Sequence, residues 1–189
     1  FADWYLDIPK ISTTINGYDF TRGNRWGKTR CSQPLVNSIP LSNLPNALDS
    51  SASSLQPYEY SNGVMLDVPG SLSTALLDKG GTLNWPSAAQ KVTTKNWYLT
   101  CISNIDGSGT EGFYAHAPNG DKYKFDVVSQ KIVTQADAWQ VISVNVIYQS
   151  IDDKYLDILY VSEVTDKNGN WVKYNYDSSK RLTSITSND

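Results

Sequence analysis

Histidine, methionine and cysteine are scarce in this chain, with one, one and two copies among 189 residues. A single histidine, His116, excludes a histidine-rich metal constellation, and a Ser-His-Asp triad would have to be built on it. No serine sits in the Gly-x-Ser-x-Gly setting of a nucleophile elbow, and no Walker-type phosphate loop is present. By strand alternation His116 falls opposite Phe113, Ala115 and Ala117, where a lone histidine is ordinarily structural or exposed. A long apolar run is also missing; none approaches the ~20 residues of a membrane span. No signal-peptide pattern follows Phe1. An excess of positive charge is missing too. The net charge of −3 argues against a nucleic-acid partner, whose affinity rests on basic patches. The short basic group Arg22, Arg25, Lys28 and Arg30, with Trp26 inside it, reads as a solvated loop.

The two cysteines, Cys31 and Cys101, are too few for a zinc site of their own. A disulfide between them and a pair of buried free thiols are both open on the sequence. No cofactor is expected. The carboxylates Asp152, Asp153, Asp157 and Glu163 offer material for a glycosidase pair, which needs two groups ~5–9.5 Å apart and one raised pKa. With 19 acidic residues, some neighbouring pair arises by chance. Asp166 to Asn170 resembles the start of a calcium loop, but its glycine is misplaced for an EF-hand, and a hairpin accounts for the same residues. Asn104 to Glu111 reads as a flexible loop.

What is abundant is β signal. Residues 97–102, 113–117, 122–127, 139–148 and 155–161 are runs of aromatic and branched side chains. Pro118-Asn-Gly-Asp121 joins two of them as a hairpin, and Tyr123, Phe125 and Val127 share a face. The run from Trp139 to Tyr148 is the longest expected strand. The first third is irregular. Pro34, Pro40 and Pro45 interrupt residues 33–48, and residues 49–54 are a serine-rich linker. Only Leu72 to Asp78 has room for a helical turn or two. The expected fold is mainly β: antiparallel hairpins forming a β-sheet shell fragment, with long N-terminal loops and little helix.

The last thirty residues carry the sharpest pattern. Two β-type runs flank Asn168-Gly169, which predicts a type I′ turn with positive φ at both residues. Beyond it, Val172, Tyr174 and Tyr176 share one face and Trp171, Lys173 and Asn175 the other. Asp177-Ser-Ser ends that strand and Arg181-Leu182 begins another. Gly169, Tyr174, Tyr176, Asp177, Arg181 and Leu182 together resemble the YD repeat of the Rhs family. In that pattern a glycine is followed by Tyr-x-Tyr-Asp-x-x-Gly-Arg-Leu, and Lys180 stands here at the second glycine. Weaker landmarks extend the resemblance upstream to about Arg30: Arg30-Cys31-Ser32, Tyr60-Ser-Asn-Gly63, Val68-Pro69-Gly70, Trp97-x-Leu99-x-Cys101 and Gly120-x-x-Tyr123-x-Phe125-Asp126.

The resemblance implies a β-rich region preceding the repeats over residues 1–158 and a truncated first repeat hairpin over 159–189. It implies a secreted or cell-surface bacterial polymorphic toxin, whose repeats form a hollow, non-catalytic shell around a toxic C-terminal segment. Tyr174, Tyr176 and Leu182 would pack between strands, while Asp177 would bond turn amides with Arg181 as its partner. The first residue and the stop within a repeat suggest a piece of a longer protein. The expected partners are the remainder of that chain and, through an uncovered edge strand, a second copy of this one. The alternative is a glycan-binding adhesion module using Trp171 and Trp139 as sugar platforms, since six tryptophans and twelve tyrosines supply flat rings. A glycoside hydrolase ranks third.

Overall fold

The structure, a computed structural model, describes residues 6–16, 29–33, 35, 39–40, 54–55, 63–81, 84–134 and 154–188. Its strands are β1 (Lys10–Asn16), β2 (Ile39–Pro40), β3 (Ser54–Leu55), β4 (Val64–Val68), β5 (Leu72–Ala75), β6 (Leu77–Asp78) and β7 (Lys91–Val92). They continue with β8 (Tyr98–Ile102), β9 (Gly112–His116), β10 (Lys122–Thr134), β11 (Lys154–Thr165), β12 (Trp171–Tyr176) and β13 (Leu182–Ser187). No helix occurs among the described residues, so the chain is mainly β. The run from Leu72 to Asp78, with room for a helical turn, is two strands instead. Its backbone groups pair with β4 on one side of Leu76 and with β7 on the other, which leaves none for helical bonding. The expected strand at 139–148 lies outside the described residues, and the boundary expected between 158 and 159 falls inside β11.

One antiparallel sheet runs in the order β5-β4-β1-β11-β10-β9-β8-β7-β6. Its two end strands are separated only by Leu76. That residue is buried, and its amide donates to the Val64 carbonyl at 2.8 Å. A single chain run thus supplies both edges, and the sheet nearly closes into a barrel. Closure removes the unpaired edges that an open sheet presents. The short pair β2–β3 forms a separate sheet.

The interior follows from strand alternation. Ile11 faces Leu66 and Leu159 on its two neighbouring strands, and Phe125 faces Phe113 and Val161. All six side chains are fully buried, as are Leu99 and Cys31. Gly112 makes this packing possible. A Cβ there would lie 2.5 Å from the Phe125 carbonyl oxygen, so only glycine lets β9 and β10 approach so closely. Register shifts on both sides of Phe125 bring Lys124 opposite Glu163 and Phe125 opposite Val161. The last two strands, β12 and β13, leave the barrel. β12 pairs with β11 only over Glu163–Thr165, and β13 pairs with β12 alone.

Candidate functional site

The motif residues assemble into the β11–β12–β13 meander. At its first turn the Asp166 amide donates to the Asn170 carbonyl at 2.9 Å and the Gly169 amide to the Asp166 carbonyl at 3.2 Å. Gly169 has φ +92° and Asn168 is not left-handed, so the expected type I′ turn is replaced by a longer loop closed by one left-handed glycine. The cause is Asp166. Its Oδ1 accepts the amides of Asn168 (2.7 Å) and Asn170 (2.9 Å), and its Oδ2 accepts Asn170 Nδ2 (2.8 Å). A side chain that satisfies the turn amides in this way selects the turn. The same bonds occupy the oxygens that a calcium-loop reading would need.

The second turn repeats the first. The Asp177 amide donates to the Arg181 carbonyl (2.9 Å) and the Lys180 amide to the Asp177 carbonyl (3.0 Å). Asp177 Oδ1 accepts the Arg181 amide (2.9 Å), and Oδ2 accepts Arg181 Nε (2.7 Å). Lys180 takes φ +61°, the left-handed conformation expected of the glycine it stands in for. The β9–β10 turn has the same pair of backbone bonds, from Gly120 to Ala117 and from Ala117 to Asp121, with Gly120 at φ +96°. Both hairpin aspartates are held below the ordinary carboxylate range: Asp166 mainly by the Asn170 side chain, Asp177 mainly by the Arg181 amide.

The tyrosines anchor this meander to the barrel. Tyr174 packs against the core cluster. The Tyr176 hydroxyl donates to the Val161 carbonyl at 2.7 Å, and its ring stacks on Tyr160 at 5.9 Å. Burial pushes the Tyr176 hydroxyl well above its usual pKa. Leu182 sits opposite Tyr176 and is half-buried.

A second constellation ties the segment around Cys31 to the barrel. Cys31 and Cys101 form a disulfide with Cα atoms 5.5 Å apart. Glu111 Oε2 accepts the amides of Cys31 (2.9 Å) and Ser32 (2.8 Å). Lys91 Nζ donates to the Gln33 carbonyl and pairs with Asp78, both at 2.6 Å, and Asp78 Oδ2 accepts the Leu35 amide at 2.8 Å. Arg30 was expected in a solvated loop. It is only 6% exposed, held inward by the neighbouring disulfide, whereas Arg22, Arg25, Trp26 and Lys28 lie outside the described residues. Burial lowers the Arg30 pKa against the opposing pull of Asp157, Asp106 and Glu111. Asp157 is 3% exposed and flanked in register by Thr13 and Gln130; its Oδ1 accepts Gln130 Nε2 at 2.8 Å. Burial pushes its carboxyl up. No sequence signal joined Arg30 to Asp157, because 127 positions of chain separate them and only barrel closure brings them together.

Nor is the loop from Asn104 to Glu111 merely flexible. Asp106 accepts the amides and hydroxyls of both Ser108 and Thr110, and Asn104 Oδ1 accepts the Gly109 amide. Those bonds hold the Asp106 carboxyl well below its usual range, the Thr110 hydroxyl first among them.

The remaining candidates do not converge. Trp171 is half-buried on the outer face with Lys173 Nζ 4.5 Å from its ring centre; Trp139 lies outside the described residues. His116 stacks on Tyr98 at 4.5 Å and reaches Thr100 Oγ1 at 3.4 Å, its pKa lowered by burial and then by Lys122. Of the carboxylates, Asp157 points into the barrel while Glu163 pairs with Lys173 outside it; Asp152 and Asp153 lie outside the described residues. Among the described residues no group of three or more His, Cys, Asp or Glu side chains is placed to hold a metal. No helix among them is long and apolar enough to cross a membrane. No family model and no curated protein matches the chain.

Proposed function

We propose that this chain is a non-catalytic structural segment of a secreted or delivered Rhs-type toxin, in which the barrel leads into the first YD-repeat hairpin of a β shell. The observation that carries the reading is the work done by the motif residues. Asp177 and Arg181 brace a turn, Gly169 closes one, and Tyr174 and Tyr176 bind the hairpin to the barrel. The polar side chains of Asp177, Arg181 and Tyr176 bond to other groups of the same chain. The outer edge of β13 has no partner among the described residues, and Ile185 on that strand is 46% exposed. Such an edge suits the next hairpin of a longer chain, or a second copy of this one.

The test is hydrogen exchange on β13 in this chain alone and in a chain extended by its natural continuation. The reading expects the β13 amides to gain protection when the continuation is present. Equal exchange in both would overturn it. The adhesion reading has one observation in its favour, the outward Trp171 flanked by Lys173. It expects saturable glycan binding that Trp171→Ala abolishes, and a silent glycan array would remove it.

A further inference from the structure

Building on the free β13 edge of the structural reading above, we infer that β13 is a self-recognition strand: two copies of this chain join by antiparallel β13–β13 pairing about a two-fold axis at Ile185. A strand left at a sheet edge is normally guarded by charge, by proline or by a bulge. Leu182–Ser187 reads Leu-Thr-Ser-Ile-Thr-Ser, with no charged residue and no proline. The irregularity in its ladder falls beside Asn175 and Tyr176, at the Leu182 end, so residues 184–187 form a regular stretch. Among the described residues β13 has one neighbour, β12.

The ladder decides which backbone groups face outward. The Asn188 amide donates to the Trp171 carbonyl at 3.3 Å. Bonding alternates along an antiparallel pair. Asn188, Thr186 and Ser184 therefore turn their backbone groups toward β12, while Ser187 and Ile185 turn theirs toward the free edge. A two-fold axis at Ile185 lets the amide of each Ile185 donate to the carbonyl of the other. It also sets Ser184 of one copy opposite Thr186 of the second.

The side chains select this register. Ile185 lies opposite Tyr174, which packs against the barrel core. Pairing Ile185 with its own copy extends that row on both sides of the axis and covers an isoleucine that is 46% exposed in the single chain. Cross-strand pairs of β-branched side chains stabilise a sheet. The other face of the join carries the hydroxyls of Ser184 and Thr186, which suit solvent. One strand pair is a small interface, so the association is reversible and depends on concentration.

Cysteine pairing on the whole chain tests the register, because its own two cysteines are already bonded to each other. Under mild oxidation Ile185→Cys should give a disulfide-linked dimer, since Cα atoms across such a pair sit ~5.5 Å apart, within reach of a disulfide. Ser187→Cys should stay monomeric. Ser184→Cys mixed with Thr186→Cys should link where neither does alone. Sedimentation of the parent chain should move toward twice the monomer mass as concentration rises. Ile185→Lys sets like charges face to face and should weaken dimerisation by at least about tenfold. A monomer mass at every concentration would overturn the inference. So would equal linking of every cysteine variant, which is collision rather than register. Either result leaves the shell reading standing, because its exchange comparison is run in dilute solution where the chain is monomeric. A β13 edge that gains no protection from the continuation there would overturn the shell reading and leave the dimer in place.

Discussion

The barrel and the terminal hairpin are built from the same antiparallel pairing but held by different forces. Eight barrel side chains are fully buried, from Ile11 on β1 to Val161 on β11. On β12 and β13 none is fully buried. The barrel holds by removing apolar area from water. The hairpin holds by its turns, where two aspartates satisfy the backbone and one tyrosine hydroxyl ties it to Val161. A substitution should therefore be costly in the barrel for volume and in the hairpin for turn chemistry.

The largest effect should come from Phe125→Ala. Emptying a fully buried aromatic site costs about 3–5 kcal/mol, read as a lower urea midpoint. Tyr176→Ala removes a half-buried ring and one hydrogen bond and should cost about 1–3 kcal/mol. Equal losses at the two positions would erase the distinction between the regions. Gly112→Ala sharpens it from the other side. The added methyl meets the Phe125 carbonyl oxygen at 2.5 Å, which is backbone and has little room to yield. Overpacking of this kind costs about 1–3 kcal/mol, and a neutral result would mean that β9 and β10 separate freely.

The hairpin was the legible part of this chain. Its motif residues lie within fourteen positions of one another, and alternation alone sorted Tyr174 and Tyr176 from Trp171 and Lys173. Even there the local signal misleads, because Asn168-Gly169 favours a type I′ turn while the carboxylate two residues earlier imposes another. The barrel was legible as strands but not as a closed object. Closure depends on Leu76 carrying one short run from the β4 edge to the β7 edge, and the seven-residue segment Leu72 to Asp78 does not announce a switch of partners. The buried Arg30 was hidden for a related reason. A charge beside a turn is ordinarily solvated, and nothing local shows that a distant Asp157 and a disulfide will hold it inside.

Acid should separate the regions without any mutation. Asp166 and Asp177 titrate lower in the fold than in the unfolded chain. Their stabilisation is present above the ordinary carboxylate pKa and is lost as pH falls through their lowered values. Asp157 has the opposite sign. Its raised pKa makes its contribution most favourable below the unfolded value, and that contribution is lost as pH rises through the folded one. On acidification from pH 5, the amides of Asn170 and Arg181 should lose protection while Ile11 and Leu159 keep theirs. The loop around Asp106 should loosen with the hairpin turns, since its carboxyl is also lowered. Residue-resolved exchange would show this order, and uniform acid loosening would count against it.

The smallest effect is the most specific. The turns closed by Gly169 and Lys180 share the same backbone bonds and the same aspartate brace, yet one left-handed site holds glycine and the other lysine. A residue with a side chain in that conformation costs about 1–2 kcal/mol, of which glycine's greater freedom in the unfolded chain returns about 0.5–1 kcal/mol. Lys180→Gly should therefore stabilise the hairpin by about 0.5–1 kcal/mol. Gly169→Ala should destabilise it by a similar amount, because the Cβ it adds meets no atom within 4 Å and only the backbone angle is at stake. Opposite, nearly matched shifts in the urea midpoint, at unchanged slope, would show that the two turns are the same device. A destabilising Lys180→Gly would mean that the lysine side chain makes a contact of its own, and that the second turn is held differently from the first.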